Sequence, residues 1–442
     1  MSQLKGWNFT LNMVFISFLI MGLLVGTTYF LTRHEVKEIN QNETSNETLN
    51  ESERVFDILD LEVTLGNEEI VFDWTNDRCI DHDAPDTTAR AFRNFKNEIV
   101  LVSGNSPDGH FMVGNDFDSL ERNCDPVIYS GDEVDAESFD NREWITSTYT
   151  FDGKTIYALV HNEYHDPIAI NCLPRDTSSR NQCWYNSISS AESTDGGYNF
   201  LQEETPNHVI AFPPFEWDPY FGVDFDDSRF NETTSRARPY GYFSPANIFK
   251  GPEDYYYSFI RAIPDPRGPP SQGMCLMRTK NLGESDSWRF WDETSFQGKF
   301  LNPYTNEEVP ICPFIDGVGT NLRSVNYNSY LGKYIGITSG RMSNADDKSV
   351  CGTWLLVSDD LFEWSKPLLL KESAFKYSPC DDESISMDVY PTIIDHTSQS
   401  RSFDVSGQDI NLYFVRQNRW TNNSLDHMDR DLVRIPIHLK KI

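Results

Sequence analysis

Beyond about residue 54 the chain runs as short alternating stretches rich in Val, Ile, Tyr, Phe and Trp, broken by Gly, Asp, Asn and Pro, with few segments of helical period. The stretches recur in threes. Trp144 to Tyr149, Thr155 to Val160 and Ser187 to Ala191 form one set, followed by Ala246 to Phe249, Tyr255 to Phe259 and Met274 to Arg278. Leu322 to Asn326, Tyr334 to Ile337 and Trp354 to Ser358 form another. A first unit is built from Ala89 to Asn94, Ile99 to Ser103 and His110 to Gly114, and a last from Val389 to Ile394, Ile410 to Val415 and Leu432 to Ile437. A long all-β chain of this kind must close on itself or split its sheets into packed units, because free strand edges pair with other chains. Five units of roughly 55 to 100 residues are expected, the longest carrying a loop insertion at about 201–240. Leu61 to Leu65 and Ile70 to Trp74 are expected to complete the last unit from the N-terminal side and leave no free edge.

The formal charge of −31 repels phosphate backbones, which excludes nucleic acid as a partner. Aromatic residues at 13% are too many for a disordered chain, so most of the sequence is expected to fold.

Met13 to Leu31 is an uncharged apolar run which, as a helix, covers about 28 Å and can span a bilayer. A cleaved signal peptide is the competing reading, but the run is long for one and has no clear small-residue cleavage site. Asn42, Asn46 and Asn50 each open a glycosylation sequon just after the run, as do Asn231 and Asn422 further on. The expected organisation is a tail at 1–12, a transmembrane or signal-anchor helix at 13–31, a glycosylated flexible stalk at 32–53 and a β-domain at 54–442. The domain would then be extracytoplasmic, either membrane-anchored through the N-terminal helix or secreted. Eight scattered cysteines without a CxxC pair suit disulfides in that compartment, with reduced buried thiols as the alternative. Cys172 and Cys183, which bracket a polar loop, are the pair best placed to bond.

Three turns then carry a resemblance. Ser193-Thr194-Asp195-Gly196-Gly197-Tyr198-Asn199-Phe200 resembles the Asp-box of sialidase-type propellers, with Asn199 in place of the usual Thr. Ser358-Asp359-Asp360-Leu361-Phe362-Glu363-Trp364 resembles a turn common in the five-bladed propeller glycosidases of the arabinanase, invertase and levansucrase superfamily. Arg278-Thr279-Lys280-Asn281-Leu282, followed by Trp288 and Trp291, is a looser version of it. The resemblance implies an all-β, five-bladed β-propeller and an extracytoplasmic carbohydrate-active function, with a glycan or polysaccharide as partner.

In a propeller, ligands meet the starts of the innermost strands and the loops at one end. That filter selects Asp86 and Arg90 before the first such strand, Glu143 at the second, Arg323 at the fourth, and Asp388 and Tyr390 at the fifth. In His161-Asn162-Glu163-Tyr164-His165 the strand period puts His161, Glu163 and His165 on one face. Their spacing is too long for one metal ion, and a Glu half-buried among aromatics is expected to have a raised pKa suited to a general acid. A strand end whose imidazoles are satisfied by backbone is the structural alternative. Glycosidic cleavage needs two carboxylates, and Asp86, Glu163 and Asp388 are the candidates, with Arg90, Glu143, His161, His165, Arg323 and Tyr390 around the substrate. The glycosidase resemblance gives Asp86 the nucleophile or base role, although no convincing counterpart of that family's Glu-Cys or Glu-Gly motif is present. Arg323 with Arg90 or Arg93, Arg416 and Tyr390 offers a second, sialidase-like arrangement for a sugar carboxylate. A noncatalytic propeller that binds glycans or proteins is the third. No cofactor or metal is expected; Asp218, Asp224, Asp226 and Asp227 lack EF-hand spacing and read as a solvated loop rather than a calcium site.

Overall fold

Every residue of the run Ile99-Val100-Leu101-Val102 is buried, which a strand satisfies only when both of its faces are covered. The computed structural model describes residues 60–165, 184–218, 239–265, 271–344, 347–375, 380, 382, 384–418 and 428–442. In it, Ile99 and Leu101 pack with Tyr413 and Val415, while Val100 and Val102 pack with Ile145 and Val160. The same division recurs along the chain, because successive side chains of a strand point to opposite faces. Leu159 joins one core, and its neighbours Ala158 and Val160 another. Ile260 and Phe259 part in the same way, as do Ile335 and Tyr334. Phe414 faces the core of Ile335 while Val415 faces that of Leu101. Each strand group is thus held between two others, and the last packs against the first: an all-β, propeller-like circuit.

The strands follow the chain closely. β1 (Leu61–Leu65) and β2 (Glu69–Phe72) precede a one-turn helix, α1 (Trp74–Asp77), whose first amides are capped by Asp73. A four-stranded antiparallel sheet follows: β3 (Arg90–Arg93), β4 (Ile99–Val102), β5 (Phe111–Gly114) and β6 (Glu121–Asn123). The next sheet has nine strands, in two groups. The first holds β7 (Arg142–Thr150), β8 (Ile156–His165), β9 (Trp184–Ser193) and β10 (Val209–Ala211). The second holds β11 (Tyr240–Phe243), β12 (Phe249–Lys250), β13 (Tyr256–Ile263), β14 (Gly273–Thr279) and β15 (Arg289–Phe290). They are joined because β11 runs parallel to β9 as well as antiparallel to β13. Then come β16 (Leu322–Asn328), β17 (Lys333–Ser343), β18 (Ser349–Ser358) and β19 (Leu368–Glu372). β20 (Met387–Ile394) pairs with β22 (Asp409–Gln417), and β22 with β23 (Arg430–Lys441), while the short β21 (Val405–Ser406) crosses to pair with β16. Both β1 and β2 pair antiparallel with β23, so the two ends of the domain share one sheet.

One boundary differs from the sequence reading. The first strand of the third group is split into β11 and β12, and β11 begins where a loop insertion was expected to end. Pro245 between them has no amide hydrogen for the ladder, and Ser244 turns the chain with φ +35°.

The turns after the third strands share one device. The Ser193 hydroxyl accepts from the Gly197 amide, and Asp195 accepts from the amides of Tyr198 and Asn199. Ser358 accepts from Leu361, and Asp360 from Phe362 and Glu363. Thr279 accepts from Asn281, whose side chain accepts from Gly283. Gly196 and Gly197, at φ +89° and +94°, supply the left-handed backbone the first turn needs.

Disulfides join Cys79 to Cys124, Cys275 to Cys312 and Cys351 to Cys380. Cys172 and Cys183, the apolar run 13–31 and the sequons at Asn42, Asn46, Asn50, Asn231 and Asn422 lie outside the described residues. Among the described residues no helix is long and apolar enough to cross a membrane.

Candidate functional site

Antiparallel pairing brings the start of β7 beside the end of β8, so that Trp144 stands opposite His161 and Arg142 opposite Glu163. The starts of β16, β20 and β23 and the segment before β3 converge there. The resulting cleft, about 270 Å³, is lined by Asp86, His161, Glu163, Arg323, Tyr390 and Arg430. Trp144 and Trp184 add aromatic walls.

Asp86 is held from one side. The Arg430 guanidinium and the Tyr390 hydroxyl, the latter at 3.2 Å, both engage its Oδ1, and Oδ2 has no hydrogen-bond partner among the described residues. Burial pushes the Asp86 carboxyl up and the charge of Glu163 adds to that; Arg430 and Tyr390 pull the other way without cancelling it. Tyr390 reaches this position through an irregularity in β20 between Val389 and Thr392, where its own φ is +56°. A left-handed aromatic residue costs of order 1–3 kcal/mol, and such strain concentrates at functional sites.

Glu163 is held from both sides. His165 Nε2 lies 3.1 Å from its Oε2, and His161 Nδ1 lies 3.6 Å from its Oε1. Asn186 Nδ2, 3.0 Å from His161 Nε2, donates to that nitrogen and so places the ring proton on Nδ1, facing the carboxylate. Burial pushes His161 down to about 4, so it is neutral at physiological pH. For Glu163 the sequence reading expected a raised pKa, and this is corrected. Burial does act upward, but His165, His161 and Arg142 outweigh it and hold the carboxyl below its ordinary value.

The other candidates are spread more widely. Asp388 lies outside the cleft lining: it is buried, accepts from Arg416 Nε at 2.9 Å and from the Ser386 hydroxyl, and lies 3.2 Å from Lys371 Nζ. Arg416 is taken up between Asp388 and Glu68. Arg90 lies beneath the cleft, spending its donors on the Thr146 and Arg323 carbonyls and the Thr392 hydroxyl. Glu143 is buried away from the cleft lining, where it accepts from Gln202 Nε2 at 2.8 Å and burial pushes it up to about 7. Period two accounts for this, since Glu143 and Trp144 point to opposite faces of β7.

Trp184, Arg430, Ser244 and Pro245 line the cleft without having been selected from the sequence. Arg430 is 344 residues from Asp86, and nothing local to either marks the pair. Among the described residues, one group of potential metal donors comes together, Cys79, Asp83 and His110. Two of its three donors are already engaged, because Cys79 is bonded to Cys124 and Asp83 is paired with Arg122, which leaves His110 by itself. Of the acidic loop weighed for calcium, Asp224, Asp226 and Asp227 lie outside the described residues.

No protein-family model matches the chain, and no curated protein matches it by sequence. Solved structures with a similar chain course include a glycosyl hydrolase from Bacteroides ovatus, at 11% identity and TM-score 0.40 over 84% of this chain and 94% of that one. The sucrose-6-phosphate hydrolase of Lactobacillus gasseri aligns at 10% identity and TM-score 0.44, over 80% of this chain and 59% of that one. The α-L-arabinanase of Cellvibrio cellulosa, solved with arabinohexaose, aligns at 10% identity and TM-score 0.39, over 76% of this chain and 86% of that one.

Proposed function

We propose that the chain is a five-bladed β-propeller that cleaves a glycosidic bond, with Asp86 as proton donor and Glu163 as base or nucleophile. One observation carries the reading: two carboxyl groups line a single cleft, and their surroundings push their protonation in opposite directions. Hydrolysis of a glycoside needs that division, one carboxyl protonated beside the leaving oxygen and one ionised beside the anomeric carbon or a water. In this assignment Asp86, with Oδ2 unengaged, protonates the glycosidic oxygen. Glu163, oriented by His161 and His165, attacks carbon or activates water. Trp144 and Trp184 offer apolar faces on which sugar rings stack. The closed circuit of cores supports the blade count. The domain is proposed to act outside the cytoplasm, held to a membrane by residues 13–31 or released from it, a reading supported by the disulfides and by the sequons of the stalk.

A second reading, a noncatalytic glycan-binding propeller, is favoured by one observation: both carboxylates are engaged by basic groups, Asp86 by Arg430 and Glu163 by His165. Incubating the domain from residue 54 onward with a broad glycan panel separates the two. Release of sugar supports hydrolysis, and saturable binding with no release on any glycan supports the second reading.

A further inference from the structure

In a chain of formal charge −31, acids are the expected neighbours of any arginine. Around the cleft that holds for some. Arg430 meets Asp86, Arg416 meets Asp388 and Glu68, and Arg122 meets Asp83. It fails for three others that lie together. Arg323, which lines the cleft, has no carboxylate partner among the described residues. Its Nη2 donates to Asn321 Oδ1 at 3.3 Å, its guanidinium lies over the Tyr390 ring at 5.4 Å, and its buried Nε has no partner among the described residues.

Behind it stand Arg90 and Arg261. Arg90 donates to the Arg323 carbonyl at 2.6 Å, and its remaining bonds go to neutral groups. Arg261 donates to Gln272 Oε1 at 2.6 Å, lies over the Phe243 ring at 5.4 Å and leaves its own buried Nε without a partner among the described residues. Burial and the neighbouring Arg323 push Arg90 down to about 9 and Arg261 down to about 10, as cations without a counter-charge require. Buried charges are ordinarily paired. Here the counter-charge is missing from the described chain, and the member of the cluster that reaches the cleft is a guanidinium, which suits an oxyanion.

We infer that the cleft takes an acidic glycan, a sugar bearing a carboxylate or a sulfate ester, whose oxyanion is bound by Arg323 with Arg90 and Arg261 reinforcing the field from behind. This rests on the proposed carbohydrate function and adds the substrate class. Arg323 is then a specificity residue for the anionic sugar and takes no part in proton transfer.

The test is equilibrium binding of matched probes: oligogalacturonate against its carboxyl-reduced form, sialyllactose against lactose, and a sulfated galactan oligosaccharide against its desulfated form. Wild type is compared with Arg323→Met, which keeps the stem and removes the charge. The expected result is at least a tenfold preference of wild type for the acidic member of one pair, lost in Arg323→Met, which binds the acidic and neutral members about equally. The pair that shows it distinguishes carboxylate from sulfate. Equal affinity within every pair, absence of binding to all acidic probes, or equal weakening of acidic and neutral probes in Arg323→Met would each overturn the inference. A ligand-free measurement guards against a misfolded variant: an uncompensated cation predicts that Arg323→Met melts near or above the wild-type temperature, whereas a fall as large as a broken buried ion pair gives, beyond what the Asn321 bond and the Tyr390 contact supply, would reveal an acid partner within the chain and overturn it. Cleavage of neutral glycans without acidic preference would refute this inference alone. Acidic binding without cleavage would refute the hydrolase reading alone.

Discussion

Tyr390 and Asp86, 304 residues apart in sequence, meet at 3.2 Å with the phenol donating to the carboxyl. The contact joins the last strand group to the segment before the first, and it is made by a residue in strained backbone. Tyr390→Phe removes the donor and leaves the ring. Because this bond lowers the Asp86 pKa, its loss raises that pKa further, so the alkaline limb of the pH–rate profile moves to higher pH. A loss of about tenfold in kcat/KM accompanies it, the worth of one hydrogen bond. A pH–rate profile of the variant checks both.

Asp388 is predicted to matter for stability rather than chemistry. It is buried between Arg416 and Lys371, so Asp388→Asn removes the buried acid of this group and leaves both cations to the more exposed Glu68. With Glu68 still in place the cost is about 1.5–3 kcal/mol, that of losing hydrogen bonds to a charged group. Denaturant unfolding checks the cost. Turnover per folded molecule should stay within about twofold of wild type, whereas a residue in direct contact with the reacting sugar would lose orders of magnitude.

His396 gives the protein an acid-sensitive joint. Its ring stacks on Phe117 at 4.0 Å, its Nε2 lies 2.8 Å from the Tyr413 hydroxyl, and burial, helped by Arg434, pushes it down to about 4. The folded state therefore binds fewer protons than the unfolded state, whose histidine keeps its ordinary value near 6.5. Stability from this group is present above that value and is lost as pH falls from 6.5 toward 4. The full difference is worth up to about 3 kcal/mol, less what partial exposure screens. Between pH 7.5 and pH 5, His396→Phe should lose less stability than wild type, as thermal melts at the two values will show.

The Cys275–Cys312 disulfide ties β14 to the segment that follows β15 and is buried in the core shared with Trp288 and Phe290. It closes a loop of sequence separation 37, for which chain entropy gives about 4 kcal/mol. Replacing both residues by Ala should lower the melting temperature by roughly 5–10 °C, read by calorimetry.

The strand groups were legible because the signal for them is local. Runs such as Ile99 to Val102 and Ile410 to Val415 carry the burial of both faces in their composition, and the Ser193 and Ser358 turns carry their own hydrogen-bond partners. The cleft was legible in part. Asp86, His161, Glu163, Arg323 and Tyr390 stand at strand starts and ends, where the filter looked. Asp388 and Glu143 passed the same filter but point elsewhere, because a one-residue step along a strand reverses the side chain. The protonation of Glu163 was misjudged because burial was weighed without the hydrogen bond from His165 and the nearby His161 and Arg142. Arg430 and Arg261 were missed altogether, since their roles exist only after distant segments meet.

The central claim is that Asp86 and Glu163 divide the chemistry of one cleft as acid and base or nucleophile. The most direct measurement compares Asp86→Asn and Glu163→Gln on a natural glycan and on the matching glycosyl fluoride, whose leaving group needs no protonation. The account predicts that Asp86→Asn loses at least about a thousandfold on the glycan but keeps most of its rate on the fluoride, while Glu163→Gln loses both. The reverse pattern, or full activity in both variants, would contradict it.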